Sequence, residues 1–468
     1  MPKRTGSARR SSYTPPMAFD LLLRGGTLVT PGGVTKADVG VRGGRIAGIG
    51  ALSADGAEVV DATGLHVLPG LIDTQVHFRE PGLEHKEDLG TGTAGAALGG
   101  ITAVFEMPNT NPNTDTPARL ADKVRRGREK AWTDFAFFAG ATADNAEGLA
   151  EMERMEGCSG VKIFMGSSTG TLLVDEDDAL RRILRSGDRR VAVHCEDESR
   201  LRKRRALVEG SNAHPRLHPV WRDEETALLA TRRLLALAHE TGRRVHVLHV
   251  TTAEEARLLE EHKDLATMEV TPQHLLLDLE DYERLGTRAQ MNPPIRGGRH
   301  TEALWRAVRT GVADVMGSDH APHTAEEKAR PYPASPSGMP GVQTMVPLML
   351  DAVSKGLLTL ERLVDLLAHG PQRIYQIAGK GRLAVGWDAD FTLVDLGARR
   401  TIDGSWIASR CGWSPFEGRR VTGWPVRTIV RGRTVMADDE LIGRPSGEPV
   451  RFMEAPPARR PANPTTHR

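Results

Sequence analysis

The sequence predicts an α/β protein: a (β/α)8 barrel beside a small β-sandwich formed by the N- and C-terminal parts of the chain. Between Gly64 and Gln376, short β-branched or aromatic runs alternate with longer amphipathic stretches, the pattern of repeated βα units and a parallel sheet. About eight such units in roughly 300 residues suit a closed barrel better than an open sheet. His77, Asn109, Lys162, His194, His249, Asn292 and Asp319 all fall at or just beyond the C-terminal ends of the strands, where barrel active sites are built. An open doubly wound sheet would gather them at one switch point instead.

Residues 1–16 are basic, Ser-rich and free of acids, and are read as a disordered leader ahead of a start at Met17. Within residues 17–64, alternating runs at 21–30, 37–49 and 58–61 with Gly-rich turns form the first part of the sandwich. The barrel is expected over residues 65–378, with strands at 66–77, 101–107, 134–140, 160–165, 191–195, 244–250, 267–271 and 314–318. Helical patterns such as 224–239 and 301–310 lie between them. Runs at 388–396 and 426–436, inside residues 379–443, resume the early style and need partners, so the two ends are expected to pair. Residues 444–468 are rich in Pro and Arg without apolar periodicity and are expected to be disordered.

A chain of 468 residues with 39% hydrophobic content can bury a sizeable core, as one large unit plus a smaller one. Its 62 basic and 61 acidic residues nearly cancel, which implies neither a nucleic-acid surface nor an acidic partner and leaves a small-molecule substrate as the default. Cys158, Cys195 and Cys411 are far apart and odd in number, which argues for a reducing compartment; the cytoplasm is the expectation. No apolar run approaches the roughly 20 residues of a membrane span, and no apolar signal core follows the first basic residues.

His194 in VAVHCEDE and His249 in VHVLHVTT each end a β-rich run, and Asp319 in MGSDHAPH follows another. Singly each histidine is a weak signal, but at successive strand ends they read as a metal-ligand set. Lys162 in GVKIFMGSSTG lies among Val161, Ile163 and Phe164, where burial penalises its charge. A neutral amine there can add carbon dioxide, giving a carbamate that bridges two metals. The competing reading, a lysine that reaches the barrel rim, is the one composition alone favours. Arg79 and Asn109 suit a substrate carboxylate, against a loop salt bridge and a turn. Asn292 in MNPPIR carries the same two readings, and His323 points into the mouth only if its loop turns back. Asp319 is the best candidate general base.

The segments DTQVHFREPG, EMPNTNP, GVKIFMG, VAVHCEDE, HVLHVTT, EVTPQHLLLD, MNPPIR and GSDHAPHT occur in the order found in dihydroorotases, and the chain resembles that family over about residues 19 to 440. The resemblance implies the amidohydrolase fold and a zinc-dependent cyclic amidase. It makes His77 a ligand of one metal, His194 and His249 ligands of the other, and a carboxylated Lys162 the bridge, reversing the rim reading. It makes Asp319 both ligand and general base, and gives Arg79, Asn109, Asn292 and His323 the substrate. The reaction implied is reversible hydrolysis of dihydroorotate to N-carbamoyl aspartate in pyrimidine synthesis. Arg79 favours it, because hydantoinase and allantoinase patterns do not place arginine two residues after the second histidine of the metal motif.

Gln75 departs from the family pattern, which has histidine there, and Gln273 stands where a histidine pair is expected before Leu275. The expected loading is therefore one or two zinc ions, with one held firmly by His194, His249 and the Lys162 carbamate and the second site weak or empty. Two alternatives stand beside the dihydroorotase reading. One is a cyclic amidase of other specificity, hydantoinase-like, allantoinase-like or for another carboxylated lactam or imide. The other is a non-catalytic partner of a carbamoyltransferase, against which the retention of Lys162, His194, His249 and Asp319 argues, since such costly buried groups serve no scaffold. A homodimer and a carbamoyltransferase partner are both left open.

Overall fold

The computed structural model describes residues 18–168, 171–210 and 213–453. The expected leader over residues 1–16 lies outside them. Eight parallel strands, Leu71–Val76, Ile101–Glu106, Asp134–Gly140, Cys158–Phe164, Val191–His194, Val245–Val247, Ala266–Val270 and Val315–Met316, pair in chain order. Every residue in them is buried, which is why their sequences read as continuous apolar runs rather than alternating ones. The last strand is only two residues long. The barrel closes beyond it, where the backbone N–H of His77 donates to the carbonyl of His320 at 2.7 Å and that of Ser318 to Asp73 Oδ1 at 3.0 Å.

The helices pack their apolar stripes on the outer face, through residues such as Ile183, Leu184, Leu234 and Leu235 against Val104, Phe137, Val161 and Val193. Glu224–Thr241 begins where Asp223 accepts the N–H of Thr226 and ends at Gly242 in the left-handed region, and Arg299–Thr310 ends at Gly311 in the same way. No helix among the described residues is long and apolar enough to cross a membrane.

Both ends of the chain pair into one nine-stranded mixed sheet beside the barrel. The two halves meet where His66–Pro69 runs antiparallel to Phe391–Thr401, with Val67 opposite Leu393 and Leu68 opposite Thr392. Leu23, Val39, Val41, Ile46, Phe391 and Ile429 form their shared core. The strand expected over residues 66–77 is divided at Gly70: its first part belongs to this sheet and only its second part to the barrel. A Cβ at residue 70 would lie 2.4 Å from that of Asp390, so glycine permits the close approach.

Disorder from residue 444 onward does not hold for residues 444–453. Gly447 N–H donates to Ala131 O, Phe135 N–H to Glu448 O and Val450 N–H to Phe135 O at 2.8 to 3.1 Å, at the N-terminal ends of the strands. Val450 and Phe452 then pack into the barrel interior, Phe452 with its ring 5.6 Å from that of Phe105. A segment held by backbone pairing and two apolar side chains has too little periodicity to be seen from sequence. Residues beyond 453 lie outside those described.

Candidate metal centre and active site

At the opposite end of the barrel, a cavity is lined by Gln75, His77, Arg79, Asn109, Lys162, His194, His249, Asn292 and Asp319, together with Phe164, Ser168, Ala321, Ser337 and Gly338. Residues as far apart in sequence as 75 and 319 thus share one wall. Arg79, His249 and Asp319 adopt φ of 65°, 36° and 44°, a region that side chains other than glycine rarely enter. These strained turns occur where the chain leaves a strand, and all three side chains face the cavity.

His194 Nε2 lies 2.8 Å from Glu196 Oε2, which is itself paired with Arg222 at 2.6 Å. Burial would raise the Glu196 carboxyl, but Arg222 and His194 together hold it below the ordinary carboxylate range. The carboxylate therefore fixes the proton on Nε2 and leaves Nδ1 as a lone pair, 3.1 Å from His249 Nε2. Burial keeps both rings neutral, His249 well below its ordinary value. His77 donates through Nδ1 to Asn109 Oδ1 at 2.7 Å, so its Nε2 lone pair faces Asp319 Oδ1 at 3.3 Å. Two acceptors in that position are compatible with a cation between them. Gln75 Nε2 donates to the same Asp319 oxygen at 3.1 Å.

Among the described residues Lys162 Nζ has no hydrogen-bond partner, and it sits 4.3 Å from the centre of the Phe164 ring. Burial pulls its pKa down to about 7, against the attraction of Asp319. His249 Nδ1 and Gln75 Oε1 are likewise buried without partners. Orphaned polar atoms on one cavity wall are costly unless something binds there. The donor set fits a divalent metal, since nitrogen ligands of tetrahedral zinc at ~2.0–2.1 Å lie ~3.3 Å from each other, close to the 3.1 Å between His194 and His249. Among the described residues no three histidine, cysteine or carboxylate side chains close on one point by themselves. Lys162 lies on the same cavity wall as both pairs.

Arg79 donates to the carbonyl of Pro322 at 3.2 Å. Burial lowers its pKa to about 10, so it is charged at neutral pH. Among the described residues no carboxylate lies within 4 Å of it to form an ion pair. His323 does not reach the cavity wall. Its loop turns back only far enough to place Nε2 3.4 Å from Arg79 Nη2 and 3.0 Å from Ser337 O, which fixes the proton on Nε2 and leaves Nδ1 to accept from Lys86 Nζ at 3.2 Å. Asn292 faces the cavity with its Oδ1 2.9 Å from His218 Nε2. Gln273 is no part of the wall either, and carries no argument about metal loading: its Nε2 donates to Ser318 O at 2.7 Å, behind Asp319. Glu196 and Arg222 were missed by the sequence reading. Glu196 stood two residues after His194 in a motif already singled out, whereas Arg222 left no local signal.

The model of the amidohydrolase family matches residues 66–435. A dihydroorotase of Methanothermobacter thermautotrophicus is 38% identical over 411 residues, covering 86% of this chain and 92% of its own. An allantoinase of Deinococcus radiodurans is 36% identical over 450 residues, covering 93% and 99%. The structure of an L-hydantoinase (dihydropyrimidinase) from Arthrobacter aurescens superposes with a TM-score of 0.88 at 30% identity, covering 92% of this chain and 99% of that one. With its eight-stranded barrel, its companion sheet and this constellation of side chains, the chain belongs to the amidohydrolase family and is a hydrolase of cyclic amide bonds.

Proposed function

We propose that the chain is a dihydroorotase, interconverting dihydroorotate and N-carbamoyl aspartate in pyrimidine synthesis. The observation that carries this reading is Arg79, a buried, charged guanidinium on the cavity wall with no carboxylate within ion-pair distance among the described residues. A substrate carboxylate would complete it, through charge-assisted hydrogen bonds. Hydantoin and allantoin rings carry no such group. The dihydroorotase relatives support the same substrate.

Zinc would be held by His194, His249 and a carbamate on Lys162, with His77 and Asp319 offering a second position. A bound ion supplies Lewis acidity at the ring carbonyl. The chain's own groups do the rest. Asp319 takes the proton of the attacking water and delivers it to the ring nitrogen as the C–N bond opens, and reverses both transfers on closure. Arg79, Asn109 and Asn292 hold the carboxylate and ring, while the Pro322 carbonyl, accepting from Arg79 Nε, keeps the guanidinium in place.

Arg79→Met is expected to raise KM for dihydroorotate by about 10- to 100-fold, the loss of charged hydrogen bonds worth about 1.5–3 kcal/mol, with metal content unchanged. Steady-state ring opening by purified protein, beside hydantoin and allantoin, checks this. Turnover of either of those rings with none of dihydroorotate would replace the reading with a cyclic amidase of other specificity.

One ion firmly held per chain is the loading this reading carries. Gln75 offers zinc an amide oxygen in place of an imidazole nitrogen, a weaker ligand, and its amide group already donates to Asp319. Gln75→His is expected to raise the metal retained after dialysis from one to two ions per chain. Two ions retained by the wild type would refute it.

A further inference from the structure

We infer that Glu87 and His320 are positioning residues for Asp319, held in place by a loop of the flanking sheet. The inference rests on the proposed role of Asp319 as the group that moves the proton. Asp319 sits at φ 44°, and its neighbour His320 is what fixes the chain there. The carbonyl of His320 accepts from His77 N–H at 2.7 Å, and its own N–H donates to Ser318 Oγ at 3.1 Å. Its ring is pinned on both edges. Nδ1 accepts the backbone N–H groups of Gly341 and Val342 at 3.1 and 3.3 Å, so the ring proton is on Nε2, which faces Glu87 Oε2 at 3.3 Å.

Glu87 is fully buried, and among the described residues His320 is the one basic side chain within ion-pair distance of it. What satisfies its carboxylate instead is hydrogen bonding: Thr91 Oγ1 donates to one oxygen, and Ser409 Oγ to the oxygen that faces His320. Ser409 belongs to residues 402–419, the connection between strands Phe391–Thr401 and Arg420–Val430. Gln343 clamps that connection, donating to Trp406 O at 2.5 Å and accepting Ala408 N–H at 2.9 Å. A hydrogen-bonded chain therefore runs from the flanking sheet through Ser409 and Glu87 to the ring beside Asp319. A left-handed residue other than glycine relaxes unless its surroundings over-determine it. This chain gives the second sheet a function in the barrel's chemistry, although neither Glu87 nor His320 lines the cavity.

The test compares Glu87→Gln and Ser409→Ala, each in the wild-type and the Asp319→Asn background, by kcat, KM and zinc content in dihydroorotate ring opening. Glu87→Gln is expected to lower kcat roughly 10- to 100-fold, and Ser409→Ala in the same direction by less, with KM and zinc unchanged. Neither should lower the residual rate of Asp319→Asn further. Normal kcat in both variants, equal losses in both backgrounds, or a loss that follows lost zinc would each overturn the inference. Full activity of Asp319→Asn would remove the role of Asp319 and the inference with it, an outcome distinct from an inert Asp319→Asn beside a normal Glu87→Gln. If Glu87→Gln does not fold, Ser409→Ala, which leaves the carboxylate and ring in place, decides the question.

Discussion

Lys162→Met is expected to strip the protein of its firmly held ion and to lower kcat by at least about 10³-fold, because Lewis-acid stabilisation of the developing charge is worth several kcal/mol. The fold should survive. Methionine fills much the same volume above the Phe164 ring, and the amine it replaces is buried without a hydrogen-bond partner among the described residues. Removing an unsatisfied polar group relieves a desolvation cost, so the thermal midpoint of Lys162→Met without metal should equal or exceed that of the metal-free wild type. Metal analysis, turnover and a thermal melt of the same preparations separate these effects. Retained zinc with normal turnover would show that Lys162 is no ligand, and the unpartnered amine would then need another explanation.

Asp319→Asn is expected to reduce kcat by about 10²- to 10⁴-fold, the range general acid–base groups contribute, with KM changed only a few-fold. Asparagine is nearly isosteric and keeps an oxygen for the Gln75 amide to donate to at Oδ1. It cannot take up the proton of an attacking water. Steady-state kinetics beside metal analysis distinguishes the two duties assigned to this residue. A variant that loses turnover but keeps its zinc has lost a proton acceptor, whereas one that loses both has lost a ligand.

The barrel was legible because its strands are buried on both faces. Runs such as ITAVFE and DFAFFAG are apolar throughout, and the expected strands over residues 101–107 and 134–140 match Ile101–Glu106 and Asp134–Gly140 to within one residue. The polar residues that interrupt or end such runs stood out against them, which is how His77, Lys162, His194, His249 and Asp319 were singled out, although for Lys162 composition favoured a rim position and only the family resemblance made it a ligand. His323 shows the limit of that logic. Its distance from Asp319 in sequence was compatible with a place at the cavity, but Lys86 and Ser337, the first of them from a distant loop, hold its imidazole behind Arg79. The docking of residues 444–453 was hidden for a related reason, since its partners are backbone groups of a strand some 300 residues earlier, such as Phe135.

By itself the sequence determined the fold class, the order of the strands and the inventory of chemical groups at their C-terminal ends, because hydrophobic periodicity records how each segment is buried. Only the tertiary structure decided which nitrogen of His194 is free, that Gln75 binds Asp319, that Gly70 divides one apolar run between two sheets, and that Ser409 reaches the active site through Glu87. A tautomer, an orphaned amine or a shared carboxylate oxygen is a property of contacts between residues tens to hundreds of positions apart, and no local pattern encodes those.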